Sequence, residues 1–150
     1  MKTVKNIVVP VDFAENTGKL VTYACYMAGR LMASVHFVHV VAPYQGDAMI
    51  GAPFVTDFHD QMFSAAEERM ANLVADTRDQ FSDCSGQTIS GEPVDKIVEI
   101  AEARDADLII ISTHGAKGLE KILLGSVAER VLKRAHCPVL IMNPFKKQKE

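Results

Sequence analysis

The residues with the most chemical content lie in one stretch, 107–129, which reads DLIIISTHGAKGLEKILLGSVAE. Residues 108–111 form a short β-branched and apolar run, the pattern of a parallel strand buried on both faces. The run gives way to Ser112-Thr113-His114-Gly115, where a glycine permits positive φ and close approach of a ligand to the backbone. Farther on, Gly125-Ser126 opens a helix, with Glu129 three residues past Ser126 in a capping-box spacing. Ser126 is therefore expected to cap a helix whose N-terminus offers unpaired N–H groups and the positive end of a dipole. Strand, glycine turn, loop and helix start together suggest an anion site, and phosphate suits it best.

Asp12, at the end of the first apolar run, is the second candidate. It either meets a ligand or caps the turn into the first helix, as Asx residues do. Lys117 and Lys121 lie in the loop near the expected phosphates, but read first as solvated charges. His36 and His39 are an odd number apart on one strand, so they face opposite sides and cannot share a metal. His59, His114 and His136 have no ligand spacing either, so a divalent ion, Mg or Mn, is expected only where phosphates carry it. The chain has no GxxxxGK[ST] and no GxGxxG after its first strand, so neither standard phosphate loop applies. No residue is placed by the sequence as a general base.

The elements that must position these residues follow from periodicity. Strands are expected over 6–11, 34–41, 84–90, 108–111 and 138–143, and helices over 16–32, 57–81, 94–104 and 126–135. Leu20, Ala24, Met27, Ala28 and Leu31 make the stripe of the first helix, and Met62, Ala66, Leu73, Val74 and Phe81 that of the second. The long connection 42–56 holds two prolines and two glycines and reads as either a functional or a poorly ordered loop. Strand and helix alternate, which predicts an α/β fold: a single doubly wound, five-stranded parallel sheet of order 3-2-1-4-5. Its switch point lies between the carboxyl ends of strands 1 and 4, so Asp12 and the 112–115 turn meet in one crevice.

Bulk composition narrows the classes. At 150 residues with 48% hydrophobic content, the chain is expected to form one domain over 1–145, with a frayed Lys-rich tail at 146–150. A net charge of −3 gives no reason to expect nucleic acid, and no apolar run approaches a membrane span. Cys25, Cys84 and Cys137, odd in number and without CxxC spacing, read as reduced thiols in a cytoplasmic protein. The last strand is wholly apolar yet placed at an edge, a hazard that pairing with a second copy would remove. A homodimer through residues 138–143 is the expectation.

Four segments, IVVPVDFAEN, HVV, GEPVDKIVEIAEARDADLIIISTHG and LLGSVAERVLKRAHCPVLIM, resemble the universal stress protein family, and the likeness covers nearly the whole chain. The family's nucleotide-binding branch carries Gly, two residues, Gly, nine residues, Gly, then Ser or Thr. Gly115 and Gly125-Ser126 fill that pattern here, with Ser112 in place of the first glycine. The resemblance implies a Rossmann-like, adenine nucleotide alpha hydrolase-like fold. By the same resemblance, Asp12 and the backbone at Val40 would face the adenine and ribose. His114, Gly115, Gly125, Ser126 and Val127 would surround the phosphates, and Pro10, Val11, Ser112 and Thr113 would complete the site. The implied ligand is ATP, with AMP or ADP as alternatives, and hydrolysis would be slow at most. The implied role is a cytoplasmic, dimeric stress or signalling regulator read by a protein partner. The alternative is a nucleotide-free interaction module of the same fold, which the serine at 112 favours.

Overall fold

A computed structural model describes residues 2–43, 52–113 and 124–145, with side chains of the second helix from residue 56 onward. His114, Gly115, Lys117, Lys121, most of the 42–56 connection and the 146–150 tail lie outside the described residues. The chain runs β1 (Asn6–Pro10), α1 (Thr17–Leu31), β2 (Ser34–Val41), α2 (Ala52–Arg78), β3 (Cys84–Ser90), α3 (Pro93–Ala103), β4 (Leu108–Ser112), α4 (Ser126–Arg134) and β5 (Val139–Met142). All strands pair in parallel, in the order β3-β2-β1-β4-β5. That is the topology the alternation of elements predicts.

Neighbouring residues of a strand point to opposite faces, and β1 shows how this builds two cores. Val9 joins Phe37, Leu20, Ala24 and Met70 under α1 and α2. Val8 joins Val38, Val94, Ile97, Ile109 and Val131 under α3 and α4. The central strands are thus apolar on both sides, as buried parallel strands must be. At their amino ends, the Asp107 carboxylate accepts the main-chain N–H groups of Lys5 (2.9 Å) and Asn6 (3.1 Å) and pairs with the Lys2 ammonium at 2.9 Å. The Lys2 contact and then those two N–H groups hold the Asp107 pKa down to about 2.

Three local differences from the sequence reading have physical causes. The second helix starts at Ala52, not 57, because Pro53 sits in its first turn, where a missing N–H leaves no bond unmade. Met62 is 50% exposed instead of joining the core, and Met70, at 4%, takes that place. A helix of 27 residues spans about 40 Å, against roughly 17–27 Å for strands of this size. The amino half of α2 therefore overhangs the sheet. Where α2 does pack, Gly86 of β3 admits it: a Cβ there would lie 2.5 Å from the Met70 sulfur.

The candidate nucleotide cleft

The crevice at the carboxyl ends of β1 and β4 is shaped first by how β1 ends. Val11 N–H donates to the Val38 carbonyl at 2.8 Å, closing the β1–β2 ladder. The chain then leaves the sheet in a tight turn. Asp12 Oδ1 accepts from Ala14 N–H at 2.9 Å and from the Thr17 hydroxyl at 3.2 Å. Phe13 takes φ 57°, a conformation that bulky side chains avoid and that marks strain at functional turns. Main-chain groups alternate in direction along a strand, so Val40 aims its N–H and C=O the same way as Val38. At Val40, β1 is no longer there to meet them. Both readings of Asp12 thus have support: it is an Asx cap through one oxygen, and it is exposed at the cleft's rim.

The opposite wall is the start of α4, and here the structure corrects the expected cap. Gly125, with φ −58° and ψ 149°, is the N-cap, and Ser126 is the first helical residue, with no side-chain cap. A Cβ at residue 125 would overlap the Thr113 carbonyl oxygen, so only glycine lets the helix begin against the end of β4. Glu129 pairs with Lys133 at 2.9 Å instead of reaching back to complete a capping box. The first intrahelical bond runs from Glu129 N–H to the Gly125 carbonyl at 2.9 Å. The N–H groups of Ser126, Val127 and Ala128 therefore emerge at the helix end, where the dipole is positive. All three residues line the cleft.

The cleft has a volume of about 460 Å³, within the usual range for small-molecule sites. Pro10, Val11, Asp12, Val40, Ser112, Thr113, Gly125, Ser126 and Val127 all line it. His114 and Gly115 fall outside the described residues. Ser112 is the last residue of β4 and does not take positive φ, so its backbone does not require the glycine that the family pattern has there.

Sequence reasoning missed the apolar wall that Val38, Pro93, Ile97 and Ile111 supply. The turn 91–93 at the carboxyl edge of the sheet was the available signal for Pro93. It also missed His39, which had been weighed only as a metal ligand. His39 lines the cleft, with Nδ1 2.7 Å from the Val11 carbonyl and its ring 4.7 Å from that of Phe13. A carbonyl only accepts, so Nδ1 carries the proton.

Burial pushes the Cys25 thiol up to about 11 and raises those of Cys84 and Cys137, the reverse of an activated thiolate. Among the described residues no group of three His, Cys, Asp or Glu could hold a metal ion. No helix among them is long and apolar enough to cross a membrane.

Comparison with known proteins agrees with this fold. The model of the Universal stress protein family matches residues 3–143. Universal stress protein MJ0531 of Methanocaldococcus jannaschii is 34% identical over 147 residues, 96% of this chain and 85% of the relative. The structure of UspA from Lactobacillus plantarum superposes with a TM-score of 0.83 at 21% identity, over 95% of this chain and 100% of that one. A universal stress protein in complex with cAMP gives 0.67 at 23% identity, over 95% and 99% of the two chains. One from Archaeoglobus fulgidus in complex with dAMP gives 0.63 at 24%, over 93% and 98%. At these identities the structural likenesses speak to the fold, a Rossmann-like α/β sheet. Matched by the family model over nearly its whole length and by a relative a third identical, the chain belongs to the universal stress protein family.

Proposed function

We propose that the chain binds an adenine nucleotide, ATP in the first instance, in the crevice between β1 and β4, and acts as a stress or signalling regulator. The observation that carries this reading is the pairing of two open sets of main-chain groups across one cleft. Val40 offers an N–H and a C=O side by side, the complement of an adenine edge. The first turn of α4 offers three N–H groups and a positive dipole end, the complement of phosphates. Val38, Pro93 and Ile97 between them give the base an apolar seat. Asp12, through the oxygen that the turn leaves over, is suited to a ribose hydroxyl. The relatives solved with cAMP and dAMP support an adenine nucleotide. A divalent ion, Mg or Mn, would arrive on the phosphates and not on a protein-built site.

A dimer belongs to the same proposal. β5 pairs with β4 on one side only, and its residues are all partly exposed. An apolar edge of that kind is well suited to a second copy of itself, and sedimentation at tens of micromolar should show a dimer. A monomer there would refute it. The three free cysteines fit a reducing, cytoplasmic setting.

The test is direct. Freshly purified protein is denatured, the supernatant is analysed for adenine nucleotides, and emptied protein is titrated calorimetrically with ATP, ADP and AMP. Co-purified nucleotide and saturable heat are expected. An empty supernatant together with no heat for any of the three would leave the nucleotide-free interaction module, which Ser112 favours.

A further inference from the structure

The edge strand β3 carries two serine–histidine pairs, and they differ in what can reach them. His36 Nδ1 lies 2.7 Å from Ser85 Oγ and its Nε2 lies 2.8 Å from Gln87 Oε1. The residue is only 7% exposed, burial holds its pKa below the ordinary histidine value, and both ring nitrogens are occupied. That pair is a tie between β2 and β3. His59, on α2, is arranged otherwise. Its Nε2 lies 2.6 Å from Ser90 Oγ, and its Nδ1 lies 3.8 Å from Asp60 Oδ1. Its ring stacks on that of Phe63 one helical turn on, with centroids 6.4 Å apart.

The Ser90 hydroxyl donates to Nε2 in the tautomer that carries its proton on Nδ1. Ser90 is exposed and ends its strand. The chain then turns at Gly91, with φ 149°, and enters α3 two residues later. A hydroxyl at the end of a strand, hydrogen-bonded to an imidazole nitrogen that can take its proton, has the nucleophile–base contact of an activated serine.

We propose that Ser90 is a covalent nucleophile, with His59 as its general base, that accepts an acyl group from a small activated ester. Ser90 Oγ forms a bond to the ester's carbonyl carbon while its proton passes to His59 Nε2. The ester's C–O bond breaks, and the leaving alcohol departs with that electron pair and takes the proton back from His59. The imidazolium formed between these steps makes an ion pair with Asp60 that the neutral ring does not. Water then gives a proton to His59 Nε2 as its oxygen bonds to the acyl carbon. The bond from that carbon to Ser90 Oγ breaks, and Oγ takes the proton back from His59 as a carboxylic acid is released. This site uses α2 and the carboxyl end of β3, and its chemistry does not depend on nucleotide binding.

A fluorophosphonate probe tests the proposal on the full chain. Here an Oγ–P bond forms, the P–F bond breaks, fluoride leaves and the proton goes to His59. Mass spectrometry should find one probe on the peptide containing Ser90. Ser90→Ala should remove that label, Ser85→Ala should leave it unchanged, and His59→Gln should slow it about 100-fold, as loss of a general base does. Circular dichroism checks that each variant is folded. Absence of label on the native chain, or a Ser90 labelling rate unaffected by His59→Gln or by prior unfolding in urea, would overturn the assignment.

Discussion

Asp12 caps its turn, and the proposed nucleotide site gives it a second task that substitution can separate from the first. Asp12→Asn keeps an acceptor oxygen opposite Ala14 N–H, 2.9 Å away, and the Thr17 hydroxyl, 3.2 Å away, but removes the charge. Asp12→Ala removes both. The two turn bonds are exposed, so their joint loss should cost about 1 kcal/mol, the size of an ordinary capping interaction. A hydrogen bond from a ribose hydroxyl to a carboxylate contributes about 1.5–3 kcal/mol, equivalent to about 10- to 150-fold in Kd. The Asn variant should thus unfold in urea close to the wild type yet bind ATP at least tenfold more weakly. The Ala variant should show both losses. If Asp12→Asn titrates with ATP as the wild type does, Asp12 is a turn cap and nothing more. If its urea midpoint falls as far as that of Asp12→Ala, the division of labour between the two oxygens is wrong.

Two further predictions concern how the cleft's supports are held. The Asp107 pKa is depressed to about 2 in the folded chain by Lys2 and the N–H groups of Lys5 and Asn6. Its contribution to stability is present above the unfolded value, roughly 4, and is lost as pH falls through the folded one. Urea midpoints should therefore drop between about pH 4 and pH 2 in the wild type and drop less in Asp107→Asn; parallel curves would contradict this. Gly125→Ala drives a Cβ into the Thr113 carbonyl, an overpacking that should cost about 1–3 kcal/mol in nucleotide-free protein. A midpoint equal to the wild type would mean that the β4–α4 junction yields, and that the glycine is kept for the ligand alone.

What the sequence made legible was periodic, and what it hid was non-local. The β-branched runs at 7–9 and 108–111 and the alternation of strand and helix are enough to place the switch point beside Asp12. The early start of α2 was hidden because Pro53 reads as a loop residue until the helix around it is known. Met62 fits the helical stripe, but a stripe cannot say how far a helix overhangs the sheet it covers. The spacing of Ser126 and Glu129 fits a capping box. Which residue becomes the cap was decided by the Thr113 carbonyl, which lies across the loop from Gly125. His39 and Phe13 meet only because β1 turns out of the sheet. His59 and Ser90, 31 residues apart, meet only because the carboxyl end of β3 comes up against α2.

The two ends of the sheet differ in how their leftover main-chain groups are met. At the amino ends, main-chain donors that the ladder leaves over are taken by side chains: Asp107 accepts from Lys5 and Asn6. At the carboxyl ends, among the described residues, Val40 and the start of α4 face a cavity. Val40 outlasts β1, and the start of α4 has a glycine cap that supplies no side-chain acceptor. A capping side chain at residue 125 would first meet the Thr113 carbonyl, so the helix start is held to a glycine cap. Strain points the same way, since Phe13 holds its positive φ at this rim, where the Asp12 carboxylate and His39 fix the turn. A strained turn lowers the stability of the empty protein, and a ligand that binds only the folded state restores it. Nucleotide binding should therefore raise the melting temperature by mass action, and an unchanged melting temperature at saturating ATP would contradict this.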